Sequence, residues 1–186
     1  GYTKKDISGM TASEQLKKIL KETHELVDLQ YSTYNRSLIP ALKKRGLKII
    51  SEHESLSEEQ KKFVDAYFEE NVYPVLTPMA MDSSRPFPLI RNKTLNIGAL
   101  ICRKDGKEKH KTLDFATVQV PSVLPRIVEL PEGKDGEKRV ILLEEIIERN
   151  IGQLFLSYDV VCAHPYRVMR NADLSIDEDE AEDLLK

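Results

Sequence analysis

Between Asn71 and Lys93 the chain reads Asn-Val-Tyr-Pro-Val-Leu-Thr-Pro-Met-Ala-Met-Asp-Ser-Ser-Arg-Pro-Phe-Pro-Leu-Ile-Arg-Asn-Lys, and Pro74, Pro78, Pro86 and Pro88 are four of its nine prolines. Each proline fixes its own φ and drives the residue before it out of the helical region, so the stretch predicts an extended, non-helical path. The path is also apolar. Val75, Leu76, Met79, Met81, Phe87, Leu89 and Ile90 would be costly to leave in water, so it is expected to lie against a core. A connector of this kind joins a helical front to a strand-rich rear.

In the front, the first ten residues read as a severed linker, and Thr11-Ala-Ser-Glu14 is a capping box that opens a helix. Leu16, Ile19, Leu20, Val27, Tyr31, Tyr34 and Leu38 recur at spacings of three and four and mark one stripe. Pro40 is expected to kink or restart this helix, and Gly46 to stop it. Residues 1–46 thus form a linker and long helix whose stripe packs on a neighbouring domain or subunit. Leu47–Ile50 reads as a strand and His53-Glu54-Ser55 as a turn. Ser57-Glu-Glu-Gln60 opens a second helix with Phe63, Val64, Tyr67, Phe68 and Val72 on one face, ended by Pro74.

In the rear, Leu95–Arg103 and Leu113–Val120 read as antiparallel strands around a charged loop holding Asp105-Gly106, with Gly98 marking a bulge or a close approach. Asp135-Gly136 places a second hairpin between Arg126–Leu130 and Lys138–Leu142. Leu143–Phe155 is helical in period. Val160–Ala163 and Tyr166–Met169 read as two strands separated by His164-Pro165, and Ser175-Ile-Asp-Glu178 caps an acidic final helix. Helical patterns and hairpins without regular alternation predict an α+β fold for residues 47–186, with a mainly antiparallel sheet packed on helices.

The net charge of −3, from 28 basic and 31 acidic residues, leaves no global footprint for nucleic acid, so a polyanion site has to be a local patch. No apolar run is long enough to span a bilayer, which predicts a cytoplasmic protein. Cys102 and Cys162 lie in apolar strands outside any zinc spacing and read as reduced core thiols. His24, His53 and His110 read as solvated side chains and His164 as a fixed loop residue. No phosphate-cradling glycine motif occurs, and Asp173, Asp177, Glu178, Asp179 and Glu180 read as a solvated helix start rather than a metal site. The positive candidates are basic. Arg167 and Arg170 present guanidinium forks either to phosphate or, for Arg170, to Asp173. Arg85, Arg91 and Lys93 flank the connector and line a polyanion channel or a solvated turn, and Lys104, Lys107, Lys109 and Lys111 sit in a loop of mixed charge.

Pro74-Val-Leu-Thr-Pro-Met-Ala-Met-Asp82, followed by Pro86-Phe-Pro88 and Asn92, resembles the middle domain of bacterial polyphosphate kinase. Val120-Pro-Ser-Val-Leu-Pro-Arg126, Leu142-Leu-Glu-Glu-Ile146 and Tyr166-Arg-Val-Met-Arg-Asn-Ala-Asp-Leu174 follow in the family's order. The chain departs from the family at Arg85, where a His is frequent, and at Met169, where a Thr is common. The resemblance implies a parent phosphotransferase that moves the terminal phosphate of ATP onto polyphosphate with Mg²⁺, through a phosphohistidine in domains this chain does not contain. It implies a piece that is inactive alone, holds no catalytic residue and no bound cofactor, and serves dimerisation and the framing of the active-site tunnel. The parent would be a dimer or tetramer that engages ATP and polyphosphate, with no nucleic acid and no transmembrane segment, and with room for a peripheral membrane association. Arg85, Arg91, Lys93, Arg167 and Arg170 are the candidate polyphosphate contacts. Two other readings stay open: a stand-alone interaction module using the long helix, and a small phosphohydrolase using His164 and Arg167.

Overall fold

A computed structural model describes residues 5, 7–81, 88–104, 113–131 and 136–169. The chain divides into two compact units, residues 1–49 with 132–140, and residues 50–131 with 141–186.

The first unit is led by helix α1 (Ala12–Thr33), whose start carries the expected capping box. The Thr11 hydroxyl accepts from the Glu14 N–H at 3.3 Å, while the Thr11 N–H donates to the Glu14 carboxylate at 2.8 Å. The helix does not break before Pro40. It passes through one wide turn at Tyr34–Leu38 into α2 (Ile39–Lys44), with Pro40 in the first turn, where a missing N–H costs no internal bond. Gly46 then stops it at φ 79°, a left-handed conformation glycine adopts without penalty. Neither helix buries a residue. Strand β1 (Leu47–Ile50) neighbours β6 (Lys138–Leu142), and the Lys138 N–H donates to the Gly46 carbonyl at 2.9 Å.

The second unit holds the core. Helix α3 (Glu58–Tyr67) opens with the Ser57 capping box, widens over Phe68–Val72 and tightens over Tyr73–Val75, with Pro74 in that last turn. A four-stranded sheet runs in the order β2 (Pro78–Met81), β4 (Asp114–Gln119), β3 (Leu95–Arg103), β7 (Tyr158–Arg167), antiparallel throughout. Strand β5 (Ile127–Glu129) neighbours β6, whose last two residues belong to this unit. Helix α4 (Leu143–Asn150) follows β6 directly and runs into a tight turn over Ile151–Leu154. Val64, Phe68 and Val72 from the α3 stretch, Ile97 and Ile101 from β3, Val118 from β4, and Leu143, Ile146 and Ile147 from α4 are fully buried in one cluster. Each such side chain contributes about 1.5–3 kcal/mol of transfer free energy.

The fold is the expected α+β class, with several local differences. Thr77–Met81 takes the extended path expected of the connector, but from Pro78 it is an edge strand of the sheet. There the side without an N–H needs no partner, which is where a sheet tolerates proline. The connector lies only partly against the core. Leu76 and Ala80 pack on it and Ile90 is buried, while Val75, Met79 and Leu89 are exposed. The two strands expected around His164-Pro165 are one strand, because β7 is also an edge and Pro165 pairs with Ile97 without breaking it. The irregularity in β3 falls between Leu100 and Ile101, not at Gly98. At Gly98 the reason is close approach, since a Cβ there would stand 3.0 Å from the Phe115 ring and 3.2 Å from the Tyr166 ring. Of the two free cysteines, Cys102 is buried and Cys162 half-buried. The capped helix at Ser175 and the lysines at 107, 109 and 111 lie outside the described residues.

Candidate functional site

One end of the four-stranded sheet brings together the start of β3, the ends of β4 and β7, and the entry to β5. A cavity of about 480 Å³ opens there, with Arg91, Lys93, Arg126 and Arg167 in its wall beside Gln119 and Ser122. A second hollow of about 370 Å³ shares Arg91, Gln119, Pro121 and Ser122 and adds Val75, Thr77 and Met79.

The cationic side chains are held by the local chain path. Arg91–Thr94 forms a turn in which the Thr94 hydroxyl donates to the Arg91 carbonyl at 2.8 Å. Lys93 adopts φ 62°, the left-handed region that costs a side-chain-bearing residue roughly 1–2 kcal/mol. Two bonds from the end of β7 hold it there. Its N–H donates to the Val168 carbonyl at 2.8 Å, and its own carbonyl accepts from Arg167 Nη1 at 3.0 Å. The strained turn and the Arg167 guanidinium therefore fix each other.

Arg126 stands at the entry to β5, where its carbonyl accepts from the Leu143 N–H at 2.8 Å. Its Nε donates to both carboxylate oxygens of Glu144 at 3.1 Å, and Nη2 donates to Oε1. Glu144 is buried, with 6% of its side chain exposed, while Arg126 keeps 56% in solvent. The Glu144 carboxylate raises the guanidinium's already high pKa. Among the described residues, the side chains of Arg91 and Lys93 carry no ion pair.

Of the five candidates named from sequence, Arg91, Lys93 and Arg167 converge on this cavity, and Arg85 and Arg170 lie outside the described residues. Arg126 was missed. Its signal was its place at the end of the Val120–Arg126 motif, which served only as a landmark.

His53 and His164 do not line this cavity. His53 is not the solvated turn residue expected. Its side chain is 19% exposed, its backbone N–H donates to Glu145 at 3.2 Å, and its ring nitrogens lie 3.3 Å from Glu145 and 3.4 Å from Glu54. His164 is 78% exposed, with Nδ1 3.5 Å from Glu148. Burial, then the neighbouring Glu145, pushes the Glu148 carboxyl up. His164 and Arg167 are three positions apart on β7 and so point to opposite faces of the sheet, which separates the two groups a phosphohydrolase would need together. Among the described residues no group of three or more His, Cys, Asp or Glu is placed to hold a metal ion.

The family model for the polyphosphate kinase middle domain matches residues 59–186, and that for the polyphosphate kinase N-terminal domain matches residues 1–50. A polyphosphate kinase of Lactiplantibacillus plantarum is 48% identical over 185 residues, 100% of this chain and 25% of that protein. One from Bacillus anthracis is 41% identical over 180 residues, covering 96% and 25%. The crystal structure of polyphosphate kinase from Porphyromonas gingivalis superposes with a TM-score of 0.72 at 26% identity, over 89% of this chain and 26% of that one. The chain thus spans about a quarter of the length of these relatives. With a family model matching most of its length and the fold shared with a solved member, the chain belongs to the polyphosphate kinase family and carries its middle domain.

Proposed function

We propose that this chain is a non-catalytic scaffold of a polyphosphate kinase, and that its basic cavity frames the path of the polyphosphate chain. The observation that carries this reading is the convergence of Arg91, Lys93, Arg126 and Arg167 on one cavity in a protein whose net charge is negative. A linear polyanion is recognised by a local run of cations, and guanidinium groups held at one edge offer their remaining N–H groups to phosphate oxygens. Arg85 and Arg170, outside the described residues, stay candidate contacts by their charge alone. ATP and Mg²⁺ belong to parts of the parent enzyme outside these residues, and the chain alone performs no phosphoryl transfer.

The helix α1 supports an assembly role. Leu16, Ile19, Leu20, Leu26, Leu29 and Tyr31 on it are each at least half exposed, more apolar surface than a lone helix keeps in water. It serves contact with another domain or subunit of the parent, which acts in the cytoplasm.

Titration of the chain with tripolyphosphate in a calorimeter tests the cavity. Binding is expected at low salt, weakening as salt rises, and the double change Arg91→Ala, Arg167→Ala should lower affinity at least about tenfold. Unchanged affinity in that variant would remove the basis of the proposal. Synthesis of polyphosphate from ATP by the chain alone would overturn the non-catalytic assignment.

A further inference from the structure

The Arg126–Glu144 pair combines a mostly buried acid with a half-exposed base in a cavity wall, and the two ends have different tasks. Glu144 sits in the first turn of α4, 4% exposed overall, and grips Arg126 through Nε and Nη2. The fork is thereby held along one edge, and Nη1 lies on the opposite edge of the same planar group. Arg167 is held in the same manner, by one bond from Nη1 to the Lys93 carbonyl. Two guanidinium groups in one cavity are each tied to the protein at one side.

We propose that Glu144 is a positioning residue for phosphate binding: its carboxylate orients Arg126 so that the free edge of the fork meets an oxyanion in the cavity. This rests on the reading of the cavity as a condensed-phosphate site and adds to it a residue that never touches the ligand. A bridge serving only to tie β5 to α4 has less need of an exposed arginine, since the Leu143 N–H to Arg126 carbonyl bond already joins the same two segments. The ligand class is a condensed phosphate, whose neighbouring tetrahedral groups present oxygens in pairs that a fixed fork matches better than a mobile ammonium does.

The sign of one substitution separates orientation from simple charge. Glu144→Gln removes a negative charge beside the cavity, so Coulomb attraction alone predicts tighter binding of tripolyphosphate. Loss of orientation predicts weaker binding, by roughly fivefold, despite the added positive charge. Arg126→Lys gives a second arm on a half-exposed position: it keeps the charge and the salt dependence, and is expected to lose a similar factor because an ammonium cannot be gripped at two points. Both variants are measured by calorimetry with tripolyphosphate at two salt concentrations, after circular dichroism confirms the fold, and Arg126→Lys decides if Glu144→Gln unfolds. Weakening in a folded variant supports the proposal. Equal or tighter binding by folded Glu144→Gln, or unchanged affinity in Arg126→Lys, overturns it and leaves the cavity reading intact, whereas absence of tripolyphosphate binding by the unsubstituted chain overturns both.

Discussion

At the scale of single residues, Tyr166 and Gly98 make one contact between them. The Tyr166 hydroxyl lies 2.7 Å from the Thr117 hydroxyl, and its ring meets Phe115 edge-on at 6.3 Å over the space that Gly98 leaves open. Tyr166→Phe is expected to strand the buried Thr117 hydroxyl and lower stability by about 1–2 kcal/mol in denaturant unfolding. Gly98→Ala forces both rings aside and should cost about 1–3 kcal/mol. The need for glycine at 98 was legible in the sequence as a small residue inside a strand pattern. The rings that impose it were not, because cross-strand register decides which side chains meet. Arg126 shows the same gap: a lone arginine after Pro-x-x-x-Pro carries no periodic signal, and only the fold sets it beside Arg91 and Arg167.

At the scale of elements, α3 and α4 are joined by a two-point bridge, from Arg149 Nε to Asp65 Oδ1 at 2.8 Å and from Nη2 to Oδ2 at 2.9 Å. These bonds from Arg149 hold the Asp65 carboxyl below its ordinary range. A depressed carboxyl stabilises the fold above its unfolded pKa, and that contribution is lost as pH falls through the lower folded value. Because Asp65 is 39% exposed, the bridge is worth only about 0.5–1 kcal/mol. Asp65→Asn should therefore lower the unfolding midpoint at pH 7 and have little effect near pH 2. Glu148 on α4 behaves oppositely. With its folded pKa raised above 4.5 by burial, it favours the fold below its unfolded pKa, and that favour is lost as pH rises through the folded value. Glu148→Gln is expected to raise the midpoint at pH 7 and not at pH 3, read by thermal scans. Helix starts at Thr11 and Ser57 were plain in the sequence because a capping box is local. Strand β2 and the unbroken β7 were hidden, since proline argues against a strand until the sheet order puts it on an edge.

At the scale of the whole molecule, the family, the α+β class and the long helix were legible, because ordered motifs and hydrophobic period survive in one dimension. The cavity was legible only as its separate cations, since it forms where the ends of β3, β4 and β7 and the start of β5 meet. The proposed function holds condensed phosphate at that end of the sheet. Amide chemical-shift mapping with tripolyphosphate tests it most directly. Perturbations are expected to concentrate in Arg91–Leu95, Gln119–Arg126 and Arg167. Perturbations centred on α1 or on the His53–Glu145 contact, or none at concentrations that saturate the calorimetric signal, would contradict it.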